Sequence, residues 1–401
     1  MKTRRLYQED VYRKSCTAEI THISKEPDGI LLTFDQTVFF PTGGGQSCDT
    51  GTAGDLTVID VFEEDDCIRH RCLEKECKLS IGDKVELAID WQRRFDNMQR
   101  HCGEHILSGK FYELFGGVNR GFHMGEDYMT IDISLEENPH YDKVTWEMAK
   151  EAELLTNEAI WQNLPVITRR YENRKDAEAL PLRKALAFDE DISIVCVGSL
   201  ENPADCVACC GTHPSTSGQI GMVKIYKVEA NKGMFRIYFE AGQRAFRQYQ
   251  DRFDVLTTLE NHLSAGFDDL LDKYQAQQEK TKEVRNELYH LKKWVISGEI
   301  DDIRNNLTPA FVRKYDQLAV NDILDIGKGL TGIIPTVAFL VHNPTNTVLI
   351  FTDRYDAGKL VKENASIYNG KGGGNQKTAR AIFSKAEYVD TFIDLIEKHL
   401  R

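Results

Sequence analysis

WQRRFDNMQRHCGEHILSGKF, residues 91–111, is the stretch from which this chain is best read. Phe95, Met98, Cys102, Ile106 and Phe111 recur at helical spacing, so His101 and His105, four residues apart, project from one face of a helix. A second pair with the same separation, Cys209 and His213 in CCGTH, sits far downstream in a segment whose Gly211 and Thr212 suit a tight loop. Imidazole and thiolate are the donors tetrahedral zinc prefers. The two pairs therefore predict one zinc site per chain, closed between distant segments, in an enzyme. Cys206, Cys209 and Cys210 crowd the second loop; Cys209 is taken as the ligand beside His213, and Cys210 as part of the pocket wall.

The remainder of the sequence is organised around this helix. Before it, CTAEITHIS, GILLTFD, LTVIDVF and KVELAID alternate apolar and polar residues in short runs, the pattern of a small antiparallel sheet or barrel over residues 1–90. Inside that region, FFPTGGGQSCDTG (39–51) carries three consecutive glycines, marking backbone with unusual dihedrals or a close approach. Residues 91–245 mix helix and strand patterns, with a hairpin expected over Ala230–Gly233. Over 246–304 a coiled-coil arm is predicted, because from 243 to 297 the composition turns to Gln, Glu, Lys and Leu in a heptad-like rhythm with Gly266 as the one candidate break. Short strands and helices return over 305–401 around a second glycine cluster, GKGGGNQKTARA (370–381). The fold class expected is α+β: a β-barrel, a zinc-containing core, a helical arm and an α/β glycine-rich domain.

A chain of 401 residues exceeds the usual size of one core. Hydrophobic content of 41% and charged content of 28% are ordinary for a globular protein, and no run approaches a membrane span. The start lacks an apolar leader, so a cytoplasmic location, no membrane partner and reduced thiols are expected. Cys16, Cys67, Cys72, Cys77 and Cys196 read as packing residues. A net charge of −13 argues against a broad nucleic-acid-wrapping surface but leaves room for local basic patches. Candidates are Arg93 and Arg94 ahead of the first metal pair, and Arg169, Arg170, Arg183 and Lys184 within residues 167–184.

Four protein ligands would make a closed, structural-looking zinc site, whereas catalytic zinc normally keeps an open position. Glu104, between the two histidines, is the acid/base suspect, although its helical position turns it about 100° from His105. HCGEH also satisfies the inverted H-x-x-E-H zinc-peptidase pattern, which would need a further carboxylate ligand such as Glu178 and would leave CCGTH and both glycine clusters unexplained. GKGGGNQKTARA lacks the Gly-Lys-Ser/Thr order of a P-loop. Its Lys371, Gly372, Gly373 and Gly374 could instead offer backbone amides to a nucleic-acid phosphate at a helix N-terminus.

HCGEHILSGKF and CCGTHPSTSGQIG resemble the HxxxH and CxxxH zinc motifs of the alanyl-tRNA synthetase editing domain and, more closely, of its free-standing AlaX-type relatives. FFPTGGGQSCDTG resembles the glycine-rich signature of the preceding β-rich domain, placing Thr42 and Gln46 at the pocket, and GKGGGNQKTARA resembles the synthetase's C-terminal domain. The match spans nearly the whole chain, in a long-form arrangement. It implies His101, His105, Cys209 and His213 as zinc ligands and, as activity, ATP-independent hydrolysis of seryl or glycyl esters of alanine tRNA. It further implies a homodimer through the arm or C-terminal domain. Two departures stand out: Cys210 occupies a usual glycine position, and Thr42 replaces a frequent acidic residue. Two alternatives remain, a non-catalytic tRNA-binding module with structural zinc and the zinc peptidase.

Overall fold

The protein is described here by a computed structural model covering residues 2–138, 140–187 and 189–400. The chain is mixed α+β and forms two compact units, Met1–Thr258 and Leu259–Arg401.

In the first unit, six antiparallel strands pair around a closed ring in the order Ser15–Glu26, Gly29–Phe34, Cys67–Cys72, Leu56–Glu64, Gly51–Ala53, Lys84–Ile89. The alternation in the sequence becomes alternation of faces: Cys16, Ala18 and Ile20 are buried while Ser15, Thr17 and Glu19 are exposed. Ile30, Leu32, Phe34, Val58, Val61, Ile68 and Leu87 fill the interior. The helix Trp91–Phe115 follows. Asp90 caps its first turn by accepting from the Arg93 N–H, and Gly116 closes it in the left-handed conformation (φ 63°). Cys102, Ile106, Phe111, Ile131, Ile237 and Phe239 belong to one core, in which this helix packs on a four-stranded sheet ordered Val223–Asn231, Met234–Ala241, Met129–Ser134, Val118–Met124. The expected hairpin turn is present, with Lys232 and Gly233 both at positive φ. A second sheet, Val166–Asn173, Glu190–Gly198 and Pro203–Ala208, is an antiparallel meander, and its last strand runs directly into Cys209.

That meander corrects one expectation. Cys196 and Cys206, read as reduced thiols, are joined as a disulfide, because the register sets them directly opposite on neighbouring strands.

The helical region after Gly242 forms Gly242–Leu263 and Leu270–Asn305, interrupted around Gly266. In the second unit a five-stranded sheet runs Ala310–Tyr315, Val337–His342, Thr347–Phe351, Thr378–Ile382, Lys371–Gly374. Its central strands bury both faces. Phe339, Val341, Val348 and Ile350 share a core with the C-terminal helix, while Ala338, Leu340, Leu349 and Phe351 share another with Ile296, Ile303 and Ile323. The second glycine cluster is not at a helix N-terminus. Lys371–Gly374 is an exposed edge strand paired to Thr378–Ile382, where a Cβ on Gly372 or Gly374 would come within 2.0 or 2.2 Å of a carbonyl oxygen of the neighbouring strand. No helix among the described residues is long and apolar enough to cross a membrane.

Candidate metal centre

His101 and His105 rise from one face of the helix Trp91–Phe115, and the loop after Pro203–Ala208 brings Cys209 and His213 onto them. The four donor atoms lie within 4.8 Å of one another. Cys209 Sγ is 3.5 Å from His101 Nε2 and 3.4 Å from His213 Nε2, and the His213 ring centre is 4.6 Å from those of both other imidazoles. A tetrahedral ion with ordinary nitrogen and sulfur bond lengths spans donor-to-donor edges of roughly 3.3–3.8 Å. The donor set therefore fits one tetrahedral metal ion.

Each first-rank donor but one is held from behind. Gln46 Oε1 accepts the Thr212 backbone N–H (3.0 Å), which fixes the amide orientation, so the His101 Nδ1 only 2.9 Å away must be the donor. That tautomer leaves Nε2 free for a metal. Gln46 Nε2 in turn donates to Thr212 Oγ1 at 2.8 Å. His105 Nδ1 lies 3.2 Å from Asp205 Oδ2, and Asp205 Oδ1 accepts from Arg183 Nε at 2.6 Å. The Gly211 N–H donates to Cys209 Sγ at 3.3 Å. His105 Nδ1 and His213 Nδ1 are both buried without a hydrogen-bond partner, and only His105 has a carboxylate facing it at ion-pair distance. This pattern is the outer support that orients metal-binding histidines.

Burial disfavours a charged Cys209, yet His101, His213 and His105 around it pull its thiol well below the ordinary range. Burial likewise opposes charge on His105, but Cys209 and Asp205 lift it to about 10; His213, lowered mainly by burial, sits at about 4. Thiolate and neutral imidazole are the ligating forms, so metal binding at the quartet is coupled to proton release.

Local sequence explains how the supports arrive. Gly43 and Gln46 exchange backbone hydrogen bonds of 3.1 and 3.0 Å across Gly44 and Gly45, both at positive φ (58° and 82°), so the triple glycine is a tight turn that delivers Gln46. A Cβ on Gly45 would stand 2.6 Å from the Phe122 ring, and Phe122 stacks on His101 with centroids 5.5 Å apart. Gly211 is equally constrained, since its Cβ would fall 2.3 Å from His101 Cε1.

The quartet lines a 470 Å³ cleft together with Glu104, Asn119, Phe122, Arg183, Lys184 and Cys210. Lys184 is lowered from its usual value, first by burial and then by Arg183; burial raises the Cys210 thiol. Glu104 therefore does face the cleft, three residues after His101 and one before His105. Thr42 is exposed and lies outside the cleft lining; its hydroxyl accepts the Cys48 N–H at 3.2 Å and so braces the glycine turn. Glu178 is exposed and paired with Arg174, away from the quartet, which removes the carboxylate that the peptidase reading required.

Two basic residues read as nucleic-acid contacts serve other ends. Arg94 is completely buried, held by Asp49 (Nε at 3.0 Å from both carboxylate oxygens) and by the Val11 and Val38 carbonyls, so it ties the helix to the ring and cannot meet a phosphate. Arg183 has a side chain only 6% exposed and is committed to Asp205. By contrast Arg169 and Arg170 are exposed on the strand Val166–Asn173, and Arg170 is close enough to Cys210 to favour its thiolate electrostatically. Arg93 is half-buried and bonded to the Cys48 carbonyl. Lys371 and Gly372–Gly374 lie in the second unit. Sequence reasoning missed Asp205, Ser108 and Asn119; the only trace of Asp205 was a lone acid among apolar residues in PADCVA.

Residues 8–93 match the family model for class II (A) tRNA synthetases, and residues 192–238 that for the threonyl and alanyl tRNA synthetase second additional domain. The second match contains Cys209 and His213, so half of the donor quartet lies in a segment similar to that accessory domain. Over 99% of both chains it is 27% identical to the alanyl-tRNA editing protein AlaX-L of Pyrococcus horikoshii, to which it is similar along its whole length. It is also 28% identical to the alanine–tRNA ligase of Pyrobaculum aerophilum over its whole length, and 26% identical over 92% of its length to that of Streptococcus suis. It spans only 44% of each of these ligases.

Proposed function

We propose that this enzyme hydrolyses the ester linking a wrong amino acid, serine first and glycine second, to alanine tRNA. The observation that carries the reading is a supported His101, His105, Cys209, His213 quartet forming the wall of a cleft large enough for an aminoacyl-adenosine end. When bound, zinc supplies a Lewis-acidic centre that can polarise or position a polar group of the substrate. Gln46 and Asp205 hold the imidazoles so that such a centre is fixed before the ester arrives. Discrimination is hard for the reason of size: an apolar pocket separates serine, alanine and glycine by only about 1–3 kcal/mol, whereas a site with polar groups to satisfy rejects the analogue lacking a partner far more strongly. Asn119, Lys184 and Glu104 give this cleft that polar character.

Exposed Arg169 and Arg170, on the same sheet that carries Cys209, would hold the acceptor arm near the cleft. The helical arm and the unit containing Lys371 and Gly372–Gly374 would serve more distant tRNA contacts or pair two copies of the chain, and the four-part division of the sequence describes these roles. A cytoplasmic setting follows from the substrate. The test is deacylation of Ser-, Gly- and Ala-charged alanine tRNA by the purified protein and by a His101→Ala, His105→Ala variant, with zinc assayed in both. Seryl or glycyl ester should be cleaved and alanyl ester spared, with both activity and zinc lost in the variant. Intact esters despite bound zinc would make the protein a binding module.

A further inference from the structure

We infer that Glu104 is the subsite for the free α-ammonium group of the aminoacyl ester, and therefore that the cleft selects aminoacyl-tRNA against esters whose nitrogen is blocked or absent. The inference rests on the editing reading above and deepens it.

Glu104 is 5% exposed and is held rigidly on one side only. Its Oε1 accepts from Ser108 Oγ at 2.5 Å and from Asn119 Nδ2 at 2.8 Å; Asn119 Nδ2 also reaches Ser108 Oγ at 3.0 Å, and Asn119 Oδ1 is anchored by the Gly121 N–H at 2.9 Å. Oε2 has no hydrogen-bond partner among the described residues, and Glu104 lines the cleft beside His101 and His105. A carboxylate with one oxygen clamped by two neutral donors and the other left to a ligand cleft is a pre-organised acceptor.

The charges around it say what it accepts. Lys184 and Arg183 also line the cleft, but Arg183 is paired with Asp205. Three neutral imidazoles and one thiolate around a divalent ion leave a net positive centre. A substrate ammonium entering such a cleft meets like charge on several sides and needs a fixed anion close to the ester. Of the two carboxylates that line the cleft, Asp191 is exposed and Glu104 is buried, three residues after His101 and one before His105. An amino-acid side chain is a poor match for it, because serine, glycine and alanine share the ammonium and differ elsewhere. The group read by Glu104 is thus common to every aminoacyl ester and lost from peptidyl esters.

The test compares seryl-tRNA(Ala) with its deaminated counterpart, glyceryl-tRNA(Ala), in which a hydroxyl replaces the amine, using wild type and Glu104→Gln with zinc content measured. Glu104→Gln should lower kcat/KM on the seryl ester by about tenfold or more, as expected for losing a charge-assisted contact, while leaving the glyceryl ester within about threefold. Equal losses on both esters would overturn the inference and assign Glu104 to the reacting ester or to the fold. If Glu104→Gln loses zinc, Glu104→Asp carries the same comparison, since withdrawing the charge by one methylene must also erode the preference for the amine. Should wild type cleave neither ester, the editing reading fails separately. Binding of the non-hydrolysable 3′-amide forms of the two ligands then decides: a seryl preference erased by Glu104→Gln sustains the subsite, and equal binding, or none, overturns it.

Discussion

Asp205→Asn is the substitution that most directly tests how the site is built. Asp205 is buried and joins two elements, with Oδ1 2.6 Å from Arg183 Nε and Oδ2 3.2 Å from His105 Nδ1. Asparagine keeps the shape and removes the charge. It strands a guanidinium that is already short of a partner at Nη1, and removing one member of a buried pair costs about 3–5 kcal/mol. It also withdraws the negative charge facing His105 Nδ1 at 3.2 Å, and loss of such an outer partner is worth roughly 10–100-fold in metal affinity. The two effects separate by assay. Chelator-competition titration should show zinc binding weakened by at least about tenfold, and urea unfolding of the zinc-free protein should show a loss of about 3 kcal/mol or more. Zinc affinity within about threefold of wild type together with unchanged unfolding would refute the view that Asp205 orients His105 against Arg183.

Gly211→Ala should force His101 aside, because the new methyl would sit 2.3 Å from Cε1 and 2.9 Å from Gln46 Oε1; a stability loss of about 1–3 kcal/mol with reduced zinc occupancy is expected, measurable by thermal melting and metal analysis. His70 gives a pH signature. It is wholly buried in the strand ring, with Nε2 2.8 Å from Thr37 Oγ1, and burial lowers it to about 4. The folded state therefore binds this proton less readily than the unfolded state, and stability is lost as pH falls from about 6.5 toward 4, by about 2 kcal/mol between pH 7 and 5; His70→Phe should flatten that part of the pH profile. Replacing Arg169 and Arg170 by glutamate should weaken tRNA binding and reduce its salt dependence by about two phosphate contacts, with zinc content and melting unchanged; an unaltered salt slope would remove this strand from the tRNA surface.

The ligands were legible in the sequence because spacing alone puts His101 with His105 and Cys209 with His213, and burial then follows from the helix face they share. Gln46 was legible only as a neighbour of three glycines; its contact with His101 depends on a turn that folds back across the chain, which local patterns do not encode. Arg94 shows the opposite limit. WQRR reads as a basic patch, but the helix leaves Arg93 half-buried against the Cys48 carbonyl and puts Arg94 into a buried pair with Asp49, and composition is blind to that division. The disulfide between Cys196 and Cys206 is a matter of strand register, invisible until the meander is paired.

The unequal support of the four ligands leads to a ranking that sequence cannot supply. His101 is held by Gln46 and Cys209 by the Gly211 N–H; His105 Nδ1 makes no hydrogen bond but faces the Asp205 carboxylate at 3.2 Å, whereas His213 Nδ1 has neither a hydrogen bond nor an ion pair among the described residues. A ligand locked from behind loses little freedom on binding and brings its lone pair already aimed; an unsupported ring must be ordered by the metal itself. A complete protein quartet also leaves no position for water or substrate unless one donor yields or the coordination expands, and the least anchored donor yields most cheaply. His213→Ala should therefore keep zinc at least about tenfold more tightly than His105→Ala does, measured by competition with the same chelator. If the two variants lose zinc alike, the carboxylate behind His105 does not set ligand strength in this site.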